Sequence, residues 1–382
     1  MPLIVPTRTQ PRVILGLMTF GPSKEAGARI TDTATLGRAL DVLRARGYDE
    51  IDTARIYVDG AQEAFTREAG WKDRHFTLST KVTYPQTPGA NNAQAVTESV
   101  EKSLKELGTD CVDVSEGLGH HQHHQHEMLP PTPHRKVTNT RAQILYLHCP
   151  DRSTPFAETL EALDALHKAG KFVQLGLSNF AAHEVAEIVM TCKYNHWVRP
   201  TVYQGIYNCI TRHIEQELFV ACRRYGLDIV VYNPLAGGLL SGKIRSQDVV
   251  PESGRFSDEA EGLGGRYRAR YFKDGVFRAL QIAEEAVAKH GLTLIETALR
   301  WTVHHSKLRM VGGNDGVILG VSSVEQLESN LDSIEKGPLP EDVVKALDRA
   351  WEAAKQDATP YWHGTLEYSY NTQQALFAPG AK

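Results

Sequence analysis

The chain has 382 residues, 41% hydrophobic and 23% charged, with 42 Lys+Arg against 46 Asp+Glu and a formal net charge of -4. That length can bury the core of one large domain or two ordinary ones. A chain with no clustered basic face is excluded from the usual nucleic-acid binders, and one lacking about eighteen consecutive apolar residues has no transmembrane helix.

The amino-terminal MPLIVPTRTQPRV has prolines in its only apolar run and lacks the charged-then-apolar layout of a leader, so a cytoplasmic protein is expected. Short apolar runs then alternate with longer helix-period segments, which is the pattern of successive βα units. Strands are predicted at Val13–Leu15, Glu50–Thr53, Phe76–Thr80, Ile144–Leu147, Val173–Leu177, Thr201–Tyr203, Ile229–Tyr232 and Val317–Leu319. Helices between them include Thr33–Arg46 with Leu36, Leu40 and Leu43 on one stripe, Ala93–Leu107 with Val96, Val100, Leu104 and Leu107, and Phe156–Ala169 with Phe156, Leu160, Leu163 and Leu166. Gly47, Gly108, Gly170, Gly226 and Gly291 follow helix-period segments, where a left-handed cap is wanted. The order predicts a (β/α)8 TIM barrel as a single domain over residues 1–382. An open doubly wound sheet normally carries G-x-G-x-x-G after its first strand, and none occurs here.

One segment departs from the pattern. After Cys111-Val112-Asp113 begins a strand, Val114–Gln143 shows no period, three prolines and six histidines (His120, His121, His123, His124, His126 and His134). An irregular, unpacked insertion is expected. Imidazoles bind transition metals, but ligands need fixed geometry and supporting hydrogen bonds, so a chance compositional bias accounts for the tract better and no metal site is expected. Val-Ser-Glu can be encoded GTGAGTGAG and the final Gln CAG, the boundary signals of an intron, and joining Asp113 to Ile144 gives the continuous strand TDCVDILYLH. The segment therefore reads as a retained intron translated in frame. The five cysteines (Cys111, Cys149, Cys192, Cys209, Cys222) are dispersed without C-x-x-C, which favours free thiols in a reducing compartment; Cys149 is expected to be simply buried, and His304-His305 to close a helix.

In such a barrel the βα loops converge on one face, so chemistry is sought at the strand ends. Strand two ends in Asp52 with Tyr57 five residues on, strand three in Lys81, strand four in His148 and strand five in Ser178-Asn179. Gln204 follows strand six, Tyr232-Asn233 closes strand seven, and Gly320 with Ser322-Ser323 follows strand eight. A phenol is a poor acid at neutral pH, but an adjacent ammonium favours its ionised form and is expected to lower its pKa. A carboxylate fixes the lysine, and a histidine orients a carbonyl oxygen by donating to it. Together these groups protonate a carbonyl as hydride arrives, and a nicotinamide cofactor must supply the hydride.

These residues lie within GLMTFG (16–21), EIDTARIYVDG (50–60), STKV (79–82), LYLHCPD (145–151), GKFVQLGLSNF (170–180), VYQGIYN (202–208), VYNPLAGGLLSGK (231–243) and ILGVSSVEQLESNL (318–331). In that order they resemble the aldo-keto reductase superfamily, and within it the aflatoxin aldehyde reductase branch. The resemblance implies a catalytic tetrad of Asp52, Tyr57, Lys81 and His148, with Tyr57 as proton donor. It implies that Ser178, Asn179 and Gln204 hold the nicotinamide carboxamide and that Tyr232 stacks on the ring. Asn233, Pro234, Leu235, Gly237 and Lys243 would follow the pyrophosphate, and Gly320, Ser322, Gln326 and Asn330 the adenosine end. NADPH is the implied cofactor, although SSVEQ stands where many family members place a Lys and an Arg for the 2′-phosphate.

Ile244–Phe272, after strand seven, is rich in Gly and Arg and reads as a solvated loop; the resemblance adds closure over cofactor and substrate, with Arg266 or Arg270 contacting phosphate or an acidic substrate. A C-terminal extension, 360–382, departs from the branch where related enzymes line the substrate pocket. The implied activity is reduction of small aldehydes or ketones such as dialdehydes, semialdehydes or quinones, with a homodimer compatible and neither nucleic acid nor membrane as partner. The alternatives are a cofactor-sensing regulatory subunit similar to potassium-channel β-subunits, and an alcohol or sugar dehydrogenase running the reverse reaction.

The insertion interrupts the strand that carries His148. Deleting residues 114–143 is expected to raise both melting temperature and turnover, because lost strand packing outweighs the roughly 1–2 kcal/mol of added loop closure. Equal values for the two proteins would refute this. A tryptic peptide joining Asp113 to Ile144 from the native source would establish the intron, and abundant insertion peptides from active enzyme would dismiss it.

Overall fold

The computed structural model describes residues 10–110, 144–259 and 262–377. The insertion at Val114–Gln143, its histidines and the strand fragment from Cys111 lie outside the described residues. Strands β1 (Arg12–Gly16), β2 (Glu50–Asp52), β3 (Thr77–Lys81), β4 (Ile144–Leu147), β5 (Gln174–Ser178), β6 (Pro200–Ile206), β7 (Asp228–Tyr232) and β8 (Gly316–Gly320) close into a barrel in sequence order, every neighbouring pair parallel. The predicted (β/α)8 architecture is the observed one. The barrel closes although β4 begins at Ile144, which pairs with Ser79 on one side and Gln174 on the other. β6 extends beyond its predicted Thr201–Tyr203, because it pairs along nearly its whole length with β7, so Gln204 lies inside the strand.

Among the described residues eight helices surround the barrel: α1 (Thr33–Ala45), α2 (Gln62–Glu68), α3 (Ala93–Leu107), α4 (Phe156–Lys168), α5 (Ala182–Asn195), α6 (Leu218–Tyr225), then α9 (Leu294–His304) and α10 (Val324–Ile334). α7 (Leu263–Tyr271) and α8 (Asp274–Ala288) are added between β7 and α9, with α11 (Glu341–Ala354) and the short α12 (Thr372–Leu376) after α10. Polar side chains at Asp32, Asn92, Thr293 and Ser323 cap α1, α3, α9 and α10 by accepting from the first-turn amides. Gly108 and Gly226 end α3 and α6 at φ 67° and 70°, as their positions in the sequence require.

Strand alternation divides the core in two. Val13, Leu15, Ile51, Leu78, Leu145, Leu147, Leu175, Leu177, Tyr203, Ile229, Val231, Val317 and Leu319 join the helix side chains in one large cluster. Ile14, Ile144, Tyr146, Val202, Val230 and Ile318 form a separate cluster of strand residues only, which is the filling of the barrel lumen. Below it Arg12 and Glu50 form a buried ion pair, with Nε to Oε1 at 2.9 Å, and Arg12 also donates to the Asn314 carbonyl at 2.9 Å. A charged pair at the strand starts closes the end opposite the site.

Lumen volume is balanced between strands. A Cβ on Gly176 would lie 2.3 Å from the Tyr146 ring and 3.0 Å from Val202, so glycine on β5 is what lets tyrosine occupy β4. Gly176→Ala is expected to destabilise the protein by about 1–3 kcal/mol through overpacking, with Tyr146→Leu in the same chain recovering part of the loss. Urea unfolding of the two variants checks this, and no loss in Gly176→Ala would contradict the packing argument.

Candidate active site

The alternation that fills the lumen also aims the site. Asp52, Lys81, His148, Ser178, Gln204, Tyr232 and Gly320 each fall two residues beyond a lumen-side position (Glu50, Ser79, Tyr146, Gly176, Val202, Val230 and Ile318), so the same parity carries them to the barrel mouth. The three ionisable strand-end groups and Tyr57 converge there. Lys81 Nζ donates to Asp52 Oδ1 at 2.5 Å, to the Thr53 carbonyl at 2.7 Å and to the Tyr57 hydroxyl at 3.3 Å. Asp52 Oδ2 accepts from Ser79 Oγ at 2.8 Å and Gln204 Nε2 at 2.9 Å. Lys81 is 1% and Asp52 2% exposed, so each charge is compensated by the other rather than by water.

Tyr57 is held by a strained turn. Val58 and Asp59 lie at φ 51° and 52°, left-handed values that cost a β-branched residue about 1–3 kcal/mol. Gly21 leaves the space that Val58 fills, since a Cβ there would approach the Val58 side chain to 2.8 Å. Behind the turn the buried Arg55 pairs with Glu63 and donates to the Gly60 carbonyl, while Thr80 Oγ1 donates to Glu63 Oε1 at 2.6 Å. The His148 ring stands edge-on to Tyr57, centroids 6.0 Å apart, and to Tyr84 at 5.2 Å. Its Nδ1 is buried with no hydrogen-bond partner among the described residues.

Burial dominates the electrostatics. It holds His148 well below the ordinary imidazole value, helped by the charges of Lys81 and His363, so the ring is neutral and has one N–H to donate. Burial lowers Lys81 as well, opposed by Asp52 and Glu63. For Tyr57 the sequence expectation is reversed. Burial, then Asp52 and Tyr267, push the phenol well above its ordinary value, while Arg255 opposes. The ammonium does not acidify the phenol because Asp52 neutralises Lys81 and adds its own negative charge nearby. Tyr57 therefore keeps its proton throughout the neutral range.

A cleft of about 2010 Å³ opens over this cluster. All the residues expected to hold a cofactor line it: Ser178, Asn179, Gln204, Tyr232, Asn233, Pro234, Leu235, Gly237, Lys243, Gly320, Ser322, Gln326 and Asn330. Asn179 and Asn233 turn the chain out of β5 and β7 at φ 66° and 64°, a conformation that asparagine tolerates. The Asn179 amide donates to the His148 carbonyl at 2.9 Å and accepts from the Tyr232 hydroxyl at 2.8 Å. Ser322 N–H donates to Gln326 Oε1 at 2.9 Å, just before α10. The loop after β7 is only partly the solvated segment its composition suggests. It contains α7, from which Arg266 is exposed at the cleft, whereas Arg270 is half-buried over the Tyr267 ring at 5.6 Å, with no carboxylate partner among the described residues.

A sequence model of the aldo/keto reductase family matches residues 12–116 and 134–352. The chain belongs to the aldo/keto reductase family. The unmatched 117–133 fall inside the expected insertion. This aldo-keto reductase is 38% identical over 366 residues to aldo-keto reductase family 7 member A3 of Homo sapiens, covering 93% of this chain and 98% of that protein. It is also 38% identical to aflatoxin B1 aldehyde reductase member 2 of Rattus norvegicus, covering 92% of this chain and 88% of that protein. An aldo-keto reductase of Pseudocercospora fijiensis is 38% identical over 326 residues, 85% of this chain and 99% of that protein. The branch resemblance stands, and the chain is an oxidoreductase of the carbonyl-reducing kind. No helix among the described residues is long and apolar enough to cross a membrane.

The aldo-keto reductase site also contains residues that sequence reasoning misses. Ser79 is accessible to it, since it shares the lumen parity of Lys81. Tyr84, Arg255, Trp362 and His363 also line the cleft, and the last two come from the C-terminal extension, for which no strand-end rule applies. Because Asp52 and Lys81 compensate one another out of water, Asp52→Asn and Lys81→Met singly should each cost about 3–5 kcal/mol. The double variant should cost far less than the sum. Urea unfolding of all four proteins tests this, and additive losses would show that the pair is not coupled.

Proposed function

We propose that this aldo-keto reductase is a cytoplasmic, NADPH-dependent reductase of small aldehydes or ketones in which Tyr57 is the general acid. The observation that carries the reading is the single contact set of Lys81, which joins the Asp52 carboxylate to the Tyr57 hydroxyl beside a neutral His148. The cleft suits a dinucleotide. It has the volume and polar lining for one, Lys243 and Arg266 line it, Gly320 leaves its wall open, and His148, whose Nδ1 is unpartnered among the described residues, lies on it as well. When bound, NADPH supplies hydride to the carbonyl carbon. Tyr57 delivers its proton to the carbonyl oxygen, His148 orients that oxygen by hydrogen bonding, and Lys81 stabilises the phenolate left behind until solvent restores its proton. Tyr232 offers an aromatic face for the nicotinamide, with Ser178, Asn179 and Gln204 around its carboxamide. Four free, buried cysteines among the described residues agree with a reducing compartment. The similarity to relatives named aflatoxin B1 aldehyde reductases supports an aldehyde as the substrate.

Steady-state NADPH consumption with a panel of aldehydes, repeated with NADH, tests the reading. Turnover favours the reductase, whereas tight cofactor binding without turnover would favour a sensor subunit. Tyr57→Phe should lower turnover by roughly a hundredfold or more with NADPH binding retained; unchanged turnover would overturn the assignment. The proton donor is active while protonated, and its pKa lies above the ordinary phenol value of about 10. The reductive kcat should therefore stay level through the neutral range and fall only above a pH of about 10. A Tyr57-dependent loss near neutrality would contradict a phenol pKa raised by burial.

A further inference from the structure

The C-terminal extension is fastened to the site by its backbone. His363 N–H donates to the Asn179 carbonyl at 3.0 Å, and Arg152 donates to the His363 carbonyl at 2.7 Å. Arg152 is itself held by the buried Glu184, Nε to Oε1 at 2.7 Å, and Tyr368 from the extension donates to the same carboxylate at 2.9 Å. Gly364, at φ 72°, lets the chain pass Arg152, whose guanidinium would stand 3.0 Å from a Cβ there. The His363 side chain is left to face the cleft, where it meets the Tyr84 hydroxyl at 3.0 Å through Nδ1 and the Tyr232 hydroxyl at 3.4 Å through Nε2.

The directions of the Asn179 and Tyr232 hydrogen bonds follow from one carbonyl. The His148 carbonyl can only accept, so the Asn179 amide must present its NH2 there and its oxygen to Tyr232. Tyr232 commits its proton to that oxygen at 2.8 Å and can only accept from the other side. Both His363 contacts are made as hydrogen bonds when the imidazole carries its proton on Nε2, leaves Nδ1 bare and accepts there from Tyr84. In this tautomer the relay runs Tyr84, His363, Tyr232, Asn179, His148 carbonyl, and the Tyr84 oxygen accepts in turn from the Cys149 thiol. Tyr232 and Asn179 within it are the groups assigned to the nicotinamide.

We infer that His363 is a positioning residue: its imidazole fixes the tilt of the Tyr232 ring and the Asn179 amide, and so sets the orientation of the nicotinamide relative to Tyr57 and His148. The inference rests on the proposed cofactor role of Tyr232. Burial, with Arg270 and Arg152, lowers the His363 imidazole to about 4, which keeps it a neutral donor and acceptor at working pH. Its carbonyl and amide contacts do not involve the side chain, so His363→Ala removes the relay and leaves the extension docked.

The relay is tested first without cofactor. In 15N-histidine-labelled protein, His363 should show Nε2 protonated and Nδ1 as a hydrogen-bonded acceptor, and Tyr84→Phe should shift the Nδ1 resonance; a protonated Nδ1 would overturn the relay. Next, NADP+ is titrated by protein fluorescence quenching. His363→Ala should raise the dissociation constant about five- to tenfold, with the cofactor-free melting temperature retained, and His363→Gln should recover most of the affinity. In a Tyr232→Phe background the same substitution should add nothing further. Catalytic efficiency should fall by the same factor for small and large aldehydes. A fall that depends on aldehyde size with NADP+ affinity unchanged would make His363 a substrate contact and overturn the inference, as would wild-type affinity in His363→Ala. Failure of the wild-type protein to bind NADP+ would instead overturn the proposed function, and the inference with it.

Discussion

A lysine ammonium almost wholly removed from water needs a counter-charge within hydrogen-bonding distance, and in this barrel Asp52 is that counter-charge. The requirement organises what surrounds it. Asp52 takes donors from Lys81, Ser79 and Gln204, which fixes three neighbouring side chains at the mouth and leaves the third ammonium contact to Tyr57. The pair also bears on the protonation of Tyr57. With Lys81 neutralised by Asp52, burial governs the Tyr57 phenol and keeps it protonated.

Because that pair is buried at the rim, the barrel must be rigid below it. The lumen is packed by five aliphatic side chains and Tyr146 and closed at the far end by Arg12 and Glu50, so both ends carry an ion pair. The strained turn at Val58-Asp59 is tolerable only against such a frame, with Arg55, Glu63 and Thr80 bracing it from the helix side. The extension performs the same service from above, through Arg152 and Glu184. The Tyr57 hydroxyl is thus held from three directions.

The alternation of strand residues makes the fold and most of the site legible in the sequence. Asp52, Lys81, His148, Ser178, Gln204 and Tyr232 stand out because a strand's period of two and the barrel's convergence leave few places for them to point. Gly108 and Gly226 mark helix ends for an equally local reason. The loop after β7 is less legible. Its Gly and Arg content resembles a solvated segment, yet Arg270 gains a half-buried place among Tyr267 and Tyr271 of its own helix and Tyr84 and Tyr232, which are distant in sequence.

What the sequence determined by itself was local and periodic: eight βα units, their order, the identities at their strand ends, and through these the cluster of Asp52, Lys81 and His148 at the barrel mouth. The tertiary structure decided what depends on surroundings. The rise of the Tyr57 pKa could not be read from its neighbours in the chain, because burial outweighs a lysine whose charge is already neutralised. Nor could the arrival of His363 between Tyr84 and Tyr232, since its carbonyl is held by Arg152 across a separation of 211 residues. Periodicity records which way a residue points, whereas desolvation and long-range docking are properties of the packed chain alone.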